Sequence, residues 1–184
     1  MVFSAAQLIR RDGVGGTGMR DVAVHAGAPR GSLQHYFPGG KGQLVDEAVR
    51  WAGRYAASRV GRFLAALPEP TPGGLFAEMV RQWTAEYETS GYAGGCPVAA
   101  ATVDCADSAG EAAAGAFSTW TEAVADALTA MGVPAARSTS LATLMISTIE
   151  GALLIARAEQ STRALDTAVR ELGPLLDAAV SRPA

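Results

Sequence analysis

Residues 17–44 read TGMRDVAVHAGAPRGSLQHYFPGGKGQL, and this stretch decides the fold. Met19, Val22 and Ala23 share one face of a short helix expected over 18–26, with Thr17 placed as its N-cap. Gly27 follows and is free to take the positive φ of a tight turn. Pro29 stands where a first helical residue would, since its fixed φ suits that position and its missing N–H is not needed there. The second helix extends to Phe37 and is broken by Pro38-Gly39-Gly40. Two short helices around a glycine turn, the second basic and polar, have the pattern of a helix-turn-helix. Leu33 and Phe37, four residues apart, then pack the second helix inward. Arg30, Ser32, Gln34 and His35 are left best placed to reach outward. A helical hairpin without a nucleic-acid role is the alternative reading of the same pattern.

Working outward, nearly everything else reads as helix. Phe3 to Asp12 forms an amphipathic segment ended by Gly13, and 13–18 reads as a loop. That loop formally matches GxGxxG, but no strand precedes it and no carboxylate follows at the required distance, so it is not a dinucleotide site. From Lys41 to Leu67 apolar residues recur at helical spacing, before a stiff break at Pro68, Pro70 and Pro72. Further helices are expected at about 73–90, 97–107, 109–131, 134–160 and 163–180. The fold class is therefore all-α, with about nine helices. The expected division is a three-helix helix-turn-helix domain over 1–45 and a helical ligand-binding and dimerisation domain over 46–184, with helix 41–67 linking the two.

Charge supports a polyanion at one end only. The chain has 184 residues and a net charge of −3, yet residues 1–62 hold nine basic side chains against four carboxylates, and the rest six against fourteen. No apolar run is expected to approach the roughly 18 residues that span a bilayer, and no signal peptide is read at Met1-Val2-Phe3-Ser4, so a soluble, cytoplasmic protein is expected. Cys96 and Cys105 lack metal-ligand spacing; they suit burial, with redox sensing as the alternative. No cofactor or metal is expected. Enzymatic function is not expected either, because no nucleophile–base pair or paired carboxylates stand at a recognisable spacing. The two histidines, His25 and His35, both fall inside the motif.

The motif resembles that of the tetracycline-repressor (TetR) family. Thr17, Arg20-Asp21-Val22-Ala23, Ala26-Gly27, Gly31-Ser32-Leu33, His35-Tyr36-Phe37 and Lys41 match the family's pattern at fixed spacing. The resemblance implies that Thr17, His35, Tyr36 and Lys41 contact phosphates. It leaves Arg30, Ser32 and Gln34 for base edges or nearby phosphates. Taken singly, His35 also suits a turn cap and Tyr36 a packing residue at the rim. Pro29 and Gln34 depart from the pattern, the first removing a capping residue and the second replacing an aromatic.

Beyond residue 68, the segments Gly95-Cys96-Pro97-Val98-Ala99-Ala100 and Glu150–Arg157 resemble the LmrA/YxaF-type branch. The resemblance implies a homodimer whose last two long helices, 134–160 and 163–180, form a four-helix bundle across a two-fold axis. The helix at 134–160 is apolar on nearly all sides and needs cover on all of them, with a monomer core as the alternative. Phe76, Met79, Trp83, Tyr87, Phe117, Trp120 and Met145, with Thr148, are the candidate lining of a pocket for a small hydrophobic effector, or else ordinary core. The expected partners are a palindromic double-stranded DNA operator, the effector and a second copy of the chain, with no membrane. Repression relieved by the effector is the expected mode, and activation or a helical interaction module are its alternatives.

Overall fold

The computed structural model describes residues 1–104 and 109–180. Among the described residues there are nine helices and no strand: α1 (Val2–Gly16), α2 (Met19–His25), α3 (Arg30–Tyr36), α4 (Gly40–Ala65), α5 (Pro72–Ser90), α6 (Pro97–Asp104), α7 (Ala109–Ala130), α8 (Ala135–Glu159) and α9 (Arg163–Asp177). Their ends follow from local chemistry. Thr71 caps α5, its hydroxyl accepting the Gly74 N–H at 3.0 Å, with Pro72 in the first turn and Gly91 left-handed at the end. Gly132 and Gln160, both at positive φ, close α7 and α8.

The beginning of the chain departs from the sequence reading. Gly13 breaks α1 as expected (φ 76°), but Val14 to Gly16 make a further helical turn where a loop was anticipated. Thr17 does not cap α2; Gly18 is its N-cap, and the Thr17 hydroxyl donates backwards to the Gly13 carbonyl at 2.7 Å. The preceding turn brings that carbonyl within reach of the hydroxyl, and the backward bond forms in place of a forward cap. Pro29 is the N-cap of α3 instead of its first residue, held extended at φ −59° and ψ 141°.

The chain packs as two compact units. Residues 1–55 and 95–119 form the first, and residues 56–94 with those from 120 onward the second. In the first, α1 lies along α6 and also meets α2, which in turn meets α3. Leu8, Ile9, Val22, Ala23, Leu33, Phe37, Leu44 and Val45 are all buried there. Gly53 of α4 packs so closely on Ala116 of α7 that an added Cβ would lie 2.6 Å from the Ala116 Cα.

In the second unit α5 and α8 each pack on α9 and touch one another. The Asp177 carboxylate accepts the Gly73 N–H at 2.7 Å, and the buried Tyr87 hydroxyl donates to the Leu153 carbonyl at 2.9 Å. By length and composition α8 is apolar enough to cross a membrane, with a mean hydropathy of 1.6 over its best window, contrary to the expectation that no such stretch exists. Serines, threonines and small residues interrupt its apolar runs, so a search for an unbroken apolar stretch passes over it. Ala142, Met145, Ile149, Ala152, Leu153 and Ala156 are buried along one side at helical spacing, while Leu144, Leu154 and Ile155 are exposed. That one-sided burial is the signature of a helix packed in a folded unit.

Replacing Gly53 by alanine gains about 1 kcal/mol of helix propensity. The atoms in the way are backbone as well as side chain, and overpacking costs about 1–3 kcal/mol. G53A is therefore expected to lower the urea midpoint and G53V to lower it further; a raised midpoint for G53A would contradict the close crossing.

Candidate nucleic-acid interface

Helix α3 carries the face that the sequence singles out. Its inward residues, Leu33 and Phe37 at its C-cap, are buried at 6% and 5% exposure, while Gln34, His35 and Tyr36 are exposed and Ser32 is half-buried. Arg30 begins the helix; its side chain lies outside what the structure describes. Lys41, in the first turn of α4, is exposed. The structure thus gathers Ser32, Gln34, His35 and Tyr36 on one seven-residue helix, with Lys41 just beyond it, after the turn at Gly40 (φ 70°). The His35 and Tyr36 rings meet edge to face with centroids 5.0 Å apart, which orders both at the end of the helix.

Thr17 is the exception among the expected contacts. It is buried at 4% exposure and its hydroxyl proton is committed to Gly13, so in this structure it braces the α1–α2 connection. The turn itself depends on Gly27, at φ 61°, a conformation that glycine takes without steric cost.

Two supporting residues were not visible as such in the sequence. Gln43 accepts the Gly39 N–H at 2.9 Å and donates to Glu47 at 2.8 Å and, more weakly, to the Tyr36 carbonyl at 3.4 Å. It therefore secures the α3–α4 connection, and only its position one helical turn after Gly39 hints at this. Asp104 accepts the Val14 N–H at 2.7 Å from 90 residues away, and nothing local in the sequence signals that contact.

Beside α2 the first unit has a shallow cleft of about 330 Å³, lined by Leu8, Arg11, Asp12, Gly16, Thr17, Asp21, Val24 and His25. Arg11 and Asp12 form a paired fork at 2.7 and 2.8 Å; the hydrogen bond and then the charge of Asp12 hold the guanidinium above its ordinary pKa. None of the expected effector residues lines this cleft.

Of those effector residues, Phe117 falls in the first unit and the other seven in the second. Phe76, Met79, Tyr87, Trp120 and Met145 are buried, and Trp83, Phe117 and Thr148 are half-buried. Tyr87 spends its hydroxyl on the Leu153 carbonyl, whereas the buried Trp120 indole N–H has no hydrogen-bond partner among the described residues. Cys96 is buried; Cys105 lies outside the described residues.

Comparison with known proteins agrees with this geometry. Residues 4–48 match the family described as bacterial regulatory proteins, tetR family, and residues 72–171 the one described as transcriptional regulator LmrA/YxaF-like, C-terminal domain. An HTH-type transcriptional regulator of Mycobacterium tuberculosis is 37% identical over 96% of this chain and 92% of its own length. The HTH-type transcriptional regulator LmrA of Bacillus subtilis is 29% identical over 84% of this chain and 83% of its own. Among solved structures, a TetR regulatory protein from Rhodobacter sphaeroides superposes with a TM-score of 0.79 at 21% identity, covering 94% of this chain and 95% of that one. The reduced form of NemR from E. coli gives 0.76 at 18% identity, covering 100% and 96%. At such identities these two structures speak for the fold alone.

The Thr17 hydroxyl bond yields a stability test. Thr17→Val keeps the shape and removes the donor to Gly13, and should cost about 1 kcal/mol in denaturant unfolding, with Thr17→Ser recovering most of it.

Proposed function

Since the chain belongs to the TetR family of bacterial transcriptional regulators, which bind DNA and dimerise, we propose that it is a repressor that occupies a palindromic operator as a homodimer in the cytoplasm. The observation that carries this reading is the division of α3 into a buried side, Leu33 and Phe37, and an exposed polar side, Gln34, His35 and Tyr36. A short helix held from behind and polar in front is what the major groove admits. Gln34, Ser32 and Arg30 are the residues we assign to base edges or nearby phosphates. His35, Tyr36 and Lys41 we assign to phosphates, where hydroxyl, imidazole and ammonium groups fix the register without reading sequence. Thr17 belongs with them by position. In the structure its side chain is spent on Gly13, so its contribution to DNA binding would come through the conformation it holds.

The dimer would form through α8 and α9. Leu144, Leu154 and Ile155 of α8 and Leu175 of α9 are exposed apolar side chains, Leu154 at 70% and Leu175 at 66%. An apolar surface of this kind is costly to leave in water, and a second copy would cover it. Two recognition helices would then lie roughly 34–36 Å, or a multiple of it, apart along the duplex.

The effector would be a small, largely apolar molecule taken up in the second unit among Phe76, Met79, Trp83, Tyr87, Trp120, Met145 and Thr148. The unpartnered indole N–H of Trp120 supports an effector with a hydrogen-bond acceptor, because a buried unsatisfied donor costs about 1–3 kcal/mol until it is paired. Effector binding would favour a state with wrongly spaced recognition helices, and by reciprocity DNA would weaken the effector.

Fluorescence anisotropy with the DNA flanking the gene, at two salt concentrations against a scrambled duplex, tests the reading. Selective binding that weakens steeply with salt is expected; equal binding to both duplexes would overturn operator recognition there. Lys41→Ala should weaken both duplexes alike and reduce the salt slope by about 1, while Gln34→Ala should mainly reduce the preference for the operator, by about 1–3 kcal/mol. Leu154→Glu should shift the protein to monomer in sedimentation and abolish tight operator binding; an unchanged dimer would remove α8 from the interface.

A further inference from the structure

The segment that lies along α1 in the first unit is tied to it by a side chain at each end. Arg10 of α1 donates through Nε to the Gly95 carbonyl at 3.1 Å, just before α6. At the far end of α6, Asp104 accepts the Val14 N–H at 2.7 Å and the Gly15 N–H at 3.4 Å on one carboxylate oxygen. Gly13 makes the second contact feasible. Its positive φ ends the first stretch of α1, and a Cβ there would lie 2.6 Å from the same Asp104 oxygen. The Val14 and Gly15 amides open the short turn that follows, so they have no partner within that turn and suit an anionic cap. Immediately after it come Thr17, bonded back to Gly13, and then α2. The direction in which α2 leaves α1 therefore depends on a turn whose first donors are satisfied by a carboxylate 90 residues away in sequence.

We propose that Asp104 is a positioning residue for DNA binding: its carboxylate holds the turn between α1 and α2 and so sets how α3 is presented, without itself touching DNA. This rests on the DNA-binding reading above. It also crosses the boundary between the two family matches, since Asp104 lies within 72–171 and its partners within 4–48. The helix-turn-helix head is then incomplete without a residue supplied by the C-terminal part of the chain.

The sign of the effect separates this role from simple electrostatics. Asp104 is an exposed acid in the unit that carries the recognition helix, so removing its charge would by itself relieve repulsion and raise affinity for any DNA. Positioning predicts the opposite. In full-length protein D104A should bind the operator about tenfold more weakly, the scale of one charge-assisted hydrogen bond. Its non-specific binding should not fall and its salt slope should stay at the wild-type value, because no phosphate contact is lost. D104N, whose amide oxygen still accepts the Val14 N–H, should recover most of the affinity. Hydrogen exchange at Val14 and Gly15 should quicken in D104A, with α8 unaffected. Wild-type operator affinity in D104A, tighter binding, or a D104N as weak as D104A would each overturn the proposal. Should D104A fail to fold, D104N decides: Val14 and Gly15 must exchange faster than in wild type with a small loss of operator affinity, and no change in either overturns it. A wild-type protein without operator preference overturns the DNA-binding reading and this one with it; a selective wild type with an equally selective D104A overturns this one alone.

Discussion

A helix of seven residues is marginal in water, where isolated helices need about 12–15 residues to persist. Both α2 and α3 have that length, and neither has a side-chain cap at its start. Their existence therefore depends on burial, and the buried set is small: Val22 and Ala23 from α2, Leu33 and Phe37 from the end of α3, with Leu8 and Ile9 of α1 and Leu44 and Val45 of α4 in the same unit. The constraint does more than hold the helices. By spending Leu33 and Phe37 on the inside, it leaves Gln34, His35 and Tyr36 outside, and the face proposed to meet DNA is what remains of α3 after its packing is satisfied. Gln43 and Gly27 serve the same end from the two flanking turns, one by hydrogen bonds to the backbone and the other by a φ that few other residues accept.

The head so formed is larger than its motif. Segment 95–119 belongs to the same compact unit as the first 55 residues, through α1 on α6 and the close crossing of Gly53 and Ala116. Helices α4 and α7 each run on into the second unit without a break in the chain.

Helix α8 shows how little composition says about environment. Its hydropathy suits a bilayer, yet its buried residues follow one stripe and the unit it belongs to is closed by polar details: Tyr87 on the Leu153 carbonyl, Asp177 on the Gly73 amide, Thr129 on Ser138 at 2.8 Å. Away from that stripe Leu144, Leu154 and Ile155 are exposed, among Ser140, Thr143 and Ser147. In the dimer proposed above, a second copy would cover these side chains.

By itself the sequence determined the helical fold class, the order and approximate extent of the helices, the helix-turn-helix and the family. Each of these rests on local or periodic information: apolar spacing, glycine and proline breaks, and a dense run of matched residues between Thr17 and Lys41. It also identified the inward pair Leu33 and Phe37, because four-residue spacing on a short helix leaves no other choice of face. Tertiary structure decided the rest. Thr17 turned backward because the turn over Val14 to Gly16 puts an acceptor behind it, a turn that no propensity rule foresees among three glycines. The grouping of 95–119 with the head, the Gly53–Ala116 crossing and the Asp104 contact join residues tens of positions apart, and no local rule reaches so far. Periodicity tells which side of a helix is buried; only the packed chain tells against what.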